Sequence, residues 1–572
     1  MIREHGQAGC HHRSTTTGTQ ESDCSPSPLP SESPTSSYWT STFEPPPSLG
    51  IVRPLHQIGE IPNKADVVII GSGVTGVSAA YHLSRRFPSG SSVAILEARD
   101  FCSGATGRNG GHLTPLSALA YHDLASNPSH LLLGVEPQNE DTTRTKEMAD
   151  EVIRKIYSLE ERTSTLILDL IHKGVGENAL EAQKYNDVGL TPGYNWHLCT
   201  SAQEEADFER CLRDAKLAGF GDLTSRVRRV GIEELKETLH CSPRIRAAFE
   251  IPGATVHPRK LVALIYRLAL AQAKDRNIEL RLFTHCPATG ISAAGITDPN
   301  HRARINTPAG EITCRYILHA TNGYASHLAG QLAGPEGVVP TRAQAMAIRP
   351  LHRYQNDSWI FVRPFTPEST TSLKDGAGCD SSLYLEGMPR WQMGMSANTG
   401  FEYLHQRPCG EYHDMESDLI RTPPVIFGGG REMAPGKEWN VADDSVVNPL
   451  ISRFLLQWLA EKFPLDFEQE GKGENLGAEG QGQIVDAWTG IMGFTKSKDP
   501  LVGPLPVDVA IDGKGQDGTV VGQYVSAGYS GHGMTRAFSC AEVVCDMMVA
   551  EELGSKWEAP SWFPLCFLST RR

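Results

Sequence analysis

Gly71, Gly73 and Gly76 stand at G-x-G-x-x-G spacing in ADVVIIGSGVTGVSAAYHL, residues 65–83. They directly follow an apolar β-branched run and open a helical stretch, an arrangement suited to holding a pyrophosphate. Gly71 permits a tight turn, Gly73 lets the backbone approach the diphosphate, and Gly76 lets helix and strand pack closely. Unpaired N–H groups at the helix start, where Val74 and Thr75 fall, add partial positive charge. Glu97 ends the next apolar run, SSVAILEA, at the distance where an acid accepts hydrogen bonds from a ribose diol. An acid there argues against a 2′-phosphate, hence against NADP, and leaves NAD and FAD. The competing reading of Glu97 is an ordinary surface carboxylate.

A second glycine-rich run follows. In ARDFCSGATGRNGGHL, Ala98 and Arg99 lead into Thr106, Gly107, Arg108, Asn109, Gly110 and Gly111. Such a run lets backbone pass close to something flat or charged; its alternative is a flexible surface loop. Two further strand-to-turn sequences occur: RYILHATNGY, ending in Thr321, Asn322 and Gly323, and GYSGHGM, which holds Gly528, Ser530, Gly531, His532, Gly533 and Met534.

With these four segments in order, the chain resembles the D-amino-acid oxidase-like family of FAD-dependent oxidoreductases, which includes glycine, sarcosine and γ-glutamylputrescine oxidases. GSGVTG with Glu97 resembles the first FAD motif of that family. GATGRNGGHL is similar to the segment that passes the pyrophosphate and reaches the flavin ring, especially in the putrescine-oxidising branch. ILHATNGYASHL and GYSGHGM resemble the turn near the cofactor and the closing motif. The resemblance spans about residues 65 to 550. It implies FAD as cofactor and oxidation of a C–N bond: hydride passes to flavin N5, the imine hydrolyses, and the reduced flavin is reoxidised by dioxygen or another acceptor. A helix start after GYSGHGM would stabilise the anionic reduced ring.

Two departures bear on the substrate. Sarcosine oxidase-like members carry a lysine in the closing motif that contacts the substrate carboxylate; here the stretch reads Gly533, Met534, Thr535, Arg536. Thr535 forms no ion pair, which favours a larger or uncharged amine over a simple amino acid. Some relatives attach FAD through a cysteine near WTGIMGFTKSKDPLVG, but no cysteine lies between Cys409 and Cys540, so FAD is expected to be noncovalent.

Candidates for the catalytic face are His112, Arg349, Tyr403 and Trp488. His112 follows the glycines directly and is suited to move a proton or orient substrate; a structural bond to backbone competes. His532 fits a supporting role in the closing turn. Trp488 reads as a pocket wall or as a core aromatic. Tyr403 and Arg349 fall in the expected substrate domain. No base is required if the amine is desolvated to its neutral form. Two other functions stand against amine oxidation: a flavin dehydrogenase of a non-amine such as a hydroxy acid, and a non-catalytic FAD-fold scaffold. Flavin bleaching by a panel of amines and hydroxy acids separates the enzymes, and a colourless protein would mark the scaffold.

These residues need elements to position them. DVVII and SSVAILEA, with the helix between, form a βαβ unit, and continuous apolar strands of this kind belong to parallel sheets covered on both faces. Residues 140–173 and HPRKLVALIYRLALAQAKD read as long helices, whereas 336–482 changes to short strands broken by Gly and Pro. The expected class is α/β: a Rossmann-type FAD-binding domain with an interleaved, mostly antiparallel α+β substrate domain. The expected parts are a disordered Ser/Thr/Pro-rich tail (1–60), FAD-binding segments (61–184, 253–335 and 483–572, the last with a C-terminal tail) and substrate segments (185–252 and 336–482). Within the tail, Tyr38 and Trp39 are costly to leave wet and are expected to pack on the body.

At 572 residues the chain is too long for one core. Its formal charge of −14 disfavours nucleic acid or an anionic membrane as partner; a small-molecule amine or amino acid is expected instead. Thirteen cysteines lie scattered with no C-x-x-C, which suits a reducing compartment and small buried thiols. No apolar run reaches spanning length, no secretory signal is evident, and a cytoplasmic location is expected. No cluster at metal spacing is found; His11 and His12 read as incidental.

Overall fold

The run ADVVII is apolar without alternation, and its strand, Lys64–Ile70, is buried along most of its length. Ser92–Leu96 and Gly310–His319 lie parallel to it on either side. Gln523–Ala527 continues the parallel set beyond Gly310–His319, and Glu279–Phe283 beyond Ser92–Leu96. An antiparallel strand, Leu501–Pro504, closes one edge, and a ribbon from 290–293 and 303–307 pairs with Gly310–His319. The computed structural model describes residues 25–55, 59–133, 142–174, 188–239, 241–294, 302–349, 390–408, 423–463, 484–505 and 522–571.

Four helices cover this sheet: α1 (Val74–Arg86), α2 (Thr142–Gly174), α3 (Pro258–Asp275) and α4 (Gly533–Glu552). Helix α1 packs between α3 and α4. Their small residues permit close approach: Ala79, Ala80, Ala537, Ala541 and Ala269 are all buried in one core with Val67, Ile69 and Ile95.

A second sheet runs Ile484–Phe494, Val339–Ile348, Val425–Gly428, Glu402–Gln406, Gly394–Ala397, Thr191–Cys199, Ala247–Thr255, His112–Leu113, with Arg228–Val230 beside Ala247–Thr255. Every pair is antiparallel except Gly394–Ala397 with Thr191–Cys199. It has its own core of Trp196, Trp391, Phe427, Leu455 and Trp458. The expected α/β class with an interleaved, mostly antiparallel second domain describes this arrangement.

The expected boundaries need three corrections. Ile484–Phe494 belongs to the second sheet, where it pairs along the whole of Val339–Ile348, so the chain's return to the first sheet comes after 494 and not at 483. The pair His112–Leu113, placed in the first FAD-binding segment, also joins the second sheet, through Thr255 and Ala254. Ala247–Thr255 is one unbroken strand across the expected 252/253 boundary. In each case backbone pairing carries the chain past the change in composition. The 184/185 boundary and residues 1–24 lie outside the described residues.

The expected disordered tail is corrected in its second half, where the expected packing of Tyr38 and Trp39 on the body is borne out. Tyr38 and Trp39 are fully buried, and residues 25–42 lie along the body, with Ser27, Thr35 and Ser37 bonded to distant segments. The polar composition is outweighed by these two aromatics, which remove a large apolar area from water.

Candidate active site

Because Lys64–Ile70, Gly310–His319 and Gln523–Ala527 are parallel neighbours, their C-terminal turns emerge at one sheet edge. Those turns are 71–76, 321–323 and 528–533. They touch. Gly71 adopts φ +107°, and a Cβ built there would lie 2.7 Å from the Ala320 carbonyl oxygen. Asn322 Oδ1 accepts the Gly528 N–H at 3.0 Å. Thr321 caps the short turn that holds Asn322 and Gly323. A Cβ at Gly323 would fall 2.7 Å from the Met492 carbonyl oxygen, and one at Gly76 would lie 1.9 Å from that of Gly71. Only glycine fits at these crossings.

Gly73 caps α1 with no side-chain bond of its own. The Val74 N–H donates to Thr106 Oγ1 at 3.1 Å. Thr75 is buried in the first turn. Glu97 is nearly buried at the end of its strand; it accepts the Ser72 N–H at 2.9 Å, the Ser72 hydroxyl at 2.8 Å and the Arg99 N–H at 3.0 Å. This draws a carboxylate to the glycine turn, which is incompatible with an ordinary surface residue. Ala98 is half-buried beside it. Helix α4 begins at Gly533 with His532 as its cap and no side-chain cap bond. Gly528 and Gly531 hold φ +79° and +92°. His532 Nδ1 faces the Ser530 carbonyl at 3.4 Å, and burial lowers its pKa. Met534 packs into the large core.

The arginines need correction as well. Arg99 donates to both oxygens of buried Asp444 at 2.9 Å. Arg108 Nε donates to the Ser103 carbonyl at 2.7 Å, and its Nη1 to the Thr35 and Thr489 carbonyls at 2.6 and 3.0 Å. Arg108 Nε also lies 3.6 Å from Asp444. Burial pulls the Arg108 guanidinium down to about 10, against the pull of Asp444. Both side chains brace the loop to other segments, a role their charge did not suggest.

Loop 107–111 runs across one face of the second sheet. A Cβ at Gly110 would meet the Tyr403 ring at 2.3 Å, and one at Gly111 would meet the Trp39 ring at 3.1 Å. Asn109 Oδ1 accepts the Gly111 N–H at 2.8 Å. Tyr403, His405 and Arg407 alternate along Glu402–Gln406 and the residue after it, so they share a face. His112 lies 5.8 Å from Tyr403 and 5.1 Å from His405 by ring centroids. Burial lowers the His112 pKa to about 4 and raises that of Tyr403 to about 12, so both are neutral near pH 7. His112 Nε2 is buried and, among the described residues, has no hydrogen-bond partner.

Of the four catalytic candidates, the structure brings His112 and Tyr403 together at the glycine loop. Trp488 is corrected: fully buried, it packs with Trp39 and Tyr38 and donates its indole N–H to the Arg108 carbonyl at 2.8 Å. Arg349 follows Ile348. Ala345, level with Gly428 and hence Tyr403, lies four residues back, about 13 Å at ordinary strand rise. The strand alternation of EYLHQ, which puts His405 on the same face as Tyr403, is a signal already present in the sequence. Asp444, Ser37 and Trp39 carried no such signal, since their partners lie hundreds of residues away or in glycine loops.

Away from this face, Arg536 bonds Glu160 at 2.6 Å and Asp499 at 3.1 Å, and Thr535 donates to Glu160 at 2.9 Å. His130, Asp499 and Cys566 bring ligand-type atoms within 4.8 Å of one another. Asp499 is there already paired with His130 and Arg536. Among the described residues no helix is long and apolar enough to cross a membrane.

Three parallel strands ending in glycine turns, an acid closing a fourth, and an antiparallel sheet laid over the turns define a two-domain dinucleotide oxidoreductase. The family model for FAD dependent oxidoreductases, DAO, matches residues 66–547, and the chain belongs to that family. A probable oxidoreductase OrdL of Rhizobium meliloti is 24% identical over 506 residues, 87% of this chain and 86% of that protein. Glycine oxidase from Geobacillus kaustophilus superposes with a TM-score of 0.54 at 17% identity, over 89% of this chain and all (100%) of that one. The L-amino acid deaminase of Proteus myxofaciens, solved with anthranilate, gives 0.54 at 15% identity over 91% and 96% of the two chains. The protein is an FAD-dependent oxidoreductase, and its residues fit the cofactor. The open helix start at Gly73, with the Glu97 carboxylate drawn to the same turn, suits a dinucleotide, and Gly107, Gly110 and Gly111 leave no room for a Cβ.

Proposed function

We propose that this enzyme oxidises the C–N bond of an amine or amino acid, with a noncovalently held FAD. The observation that carries the reading is the pairing of His112 and Tyr403 over Gly110. It places polar but uncharged groups of the second sheet against the loop expected to reach the flavin. The chemistry supplied by bound FAD is two-electron oxidation by hydride acceptance. The protein's part is position and desolvation. A buried face with neutral His112, His405 and Tyr403 disfavours an ammonium ion, so a bound amine sheds its proton to enter the reactive, neutral form. The His112 imidazole, neutral down to about pH 4, is suited to orient a substrate N–H or O–H.

The closing turn supports an amine without a simple α-carboxylate at that position, because Arg536 is committed to Glu160 and Asp499. The glycine oxidase and amino acid deaminase among the similar structures are consistent with C–N chemistry. Dioxygen or another acceptor would then take the electrons. A cytoplasmic setting is supported by nine described cysteines, all free and buried.

The test is anaerobic bleaching of the purified flavoprotein by a panel of mono-, di- and polyamines, N-methylated amino acids and hydroxy acids, followed by a peroxide assay in air. Bleaching by amines is the expected result. Bleaching by hydroxy acids alone would overturn the C–N assignment in favour of a non-amine dehydrogenase.

A further inference from the structure

Four successive carbonyls of the glycine loop are each held by a side chain. The Gly107 oxygen accepts from Ser37 Oγ at 2.7 Å, and the Arg108 oxygen from Trp488 Nε1 at 2.8 Å. The Asn109 oxygen accepts from Trp39 Nε1 at 2.7 Å, and the Gly110 oxygen faces His405 Nε2 at 2.9 Å. Two of these donors, Ser37 and Trp39, come from the N-terminal segment. That segment also ties itself to the other cofactor turns: Ser27 Oγ donates to the Gly323 carbonyl, the Ser31 carbonyl accepts from Arg99, and the Thr35 carbonyl accepts from Arg108.

A planar trans peptide points its C=O and the following N–H in opposite directions. Holding the Arg108 and Asn109 oxygens with two indoles therefore turns the Asn109 and Gly110 N–H groups away from the indoles. The Gly111 N–H is taken by Asn109 Oδ1. Among the described residues the Asn109 and Gly110 N–H groups form no hydrogen bond, although Gly110 is buried. Buried amides without partners are rare in folded chains and mark a missing acceptor.

We propose that Ser37 and Trp39 are positioning residues of the flavin site. The N-terminal segment is a strap that locks the 107–111 backbone so that two adjacent N–H groups face the carbonyl and ring-nitrogen acceptors of FAD. Without the strap, Trp488 and His405 still hold two of the four carbonyls, but the Gly107 and Asn109 oxygens lose their donors in a loop with three glycines in five residues. Trp39 is fully buried against Gly111, and the Arg407 guanidinium lies 5.1 Å above its ring. The strap is thereby anchored at the loop itself, not only near it.

The proposal rests on FAD occupying this face, and the test separates the two claims. FAD is removed from the full-length protein and titrated back into the wild type, Trp39→Phe, Ser37→Ala and Ser37→Thr, with the visible spectrum recorded at each point. Backbone hydrogen exchange is followed in apo and loaded samples. Trp39→Phe keeps an aromatic ring of smaller volume and deletes the donor; one hydrogen bond corresponds to roughly a two- to tenfold change in dissociation constant. The expected result is weaker FAD binding by about that factor in Trp39→Phe and Ser37→Ala, and restoration in Ser37→Thr. An altered visible band and faster exchange at 109–110 are expected too, with exchange in Lys64–Ile70 and α1 unchanged. In the wild type, FAD should slow exchange at Asn109 and Gly110. Wild-type affinity and spectrum in Trp39→Phe would overturn the strap's role, as would loss of FAD accompanied by faster exchange throughout Lys64–Ile70 and α1. A wild-type protein that takes up no FAD would overturn the cofactor placement, and the strap's role with it.

Discussion

The Asn322 side chain accepts the Gly528 N–H at 3.0 Å, joining the turn after one parallel strand to the turn after its neighbour. Asn322 itself sits at φ +46°, a conformation asparagine tolerates better than most residues. Replacing it with alanine removes the bond and adds backbone strain. Asn322→Ala is expected to cost about 2 kcal/mol of stability, read by urea denaturation of the apoprotein. A cost below about 0.5 kcal/mol would show that the two turns hold their places independently.

Gly73 and Gly76 separate binding from folding. A Cβ at Gly76 would lie 1.9 Å from the Gly71 carbonyl oxygen, with no flexible neighbour to yield. At Gly73 the nearest atom is Thr106 Oγ1, at 3.2 Å, and the backbone is ordinary at φ −67°. Gly76→Ala is therefore expected to lower expression and melting temperature sharply. Gly73→Val should fold and lose FAD, because the added carbons fill the diphosphate space. Normal flavin content in Gly73→Val would contradict that placement.

Much of this was legible in the chain itself, for identifiable reasons. Glycine turns after apolar strands are local signals, so the sheet edge and Glu97 could be read directly. The second sheet was legible as a change in pattern but not in its limits, since His112–Leu113 and Ile484–Phe494 join it through pairing with strands more than one hundred residues away. The bracing role of the Arg99 and Arg108 side chains was not legible, because their counter-charge, Asp444, is over three hundred residues distant. Trp39 showed only that it must be buried, not that its indole N–H would find Asn109.

Among the described residues, Asp444 is the one carboxylate that pairs with both buried guanidiniums. Asp444→Asn keeps the shape and removes the charge, leaving Arg99 and Arg108 uncompensated. Breaking a buried pair in this way costs about 3–5 kcal/mol. The expected outcome is a corresponding fall in the denaturation midpoint together with weakened FAD retention, since both arginines brace the loop. A change under 1 kcal/mol would mean that the carbonyls around Arg108 suffice.

His82 predicts an acid limit to stability. It is buried in α1, with Nε2 3.1 Å from the Phe538 carbonyl and Nδ1 beside Arg86. Burial lowers its pKa to about 3, with Glu542 opposing. The unfolded chain takes up this proton near pH 6.5, whereas the folded protein does so only near 3. Folding is thus disfavoured progressively as pH falls through that window, by about 1.4 kcal/mol per pH unit for this group. Above pH 6.5 the effect vanishes. Denaturation midpoints between pH 4 and 7 should show a slope that His82→Gln reduces by about one proton; an unchanged slope would assign the acid sensitivity elsewhere.

Tyr403 tests the proposed substrate face. Its hydroxyl is so close to Gly428 that a Cβ there would lie 2.3 Å from the oxygen. Among the described residues that hydroxyl has no hydrogen-bond partner, and the residue is half-buried. Burial keeps the phenol protonated, so it is a neutral donor, and its ring lies 5.8 Å from that of His112, whose Nε2 has no partner among the described residues. Tyr403→Phe retains the ring against Gly110 and removes only that donor. If the hydroxyl binds substrate, kcat/KM should fall roughly tenfold, about 1.4 kcal/mol of transition-state binding, while flavin content and visible spectrum stay at wild-type values. His112→Gln should have a comparable effect with the same intact spectrum. Loss of flavin in Tyr403→Phe would instead make the phenol a support of the loop, and unchanged kinetics in both variants would move the reacting substrate away from this face.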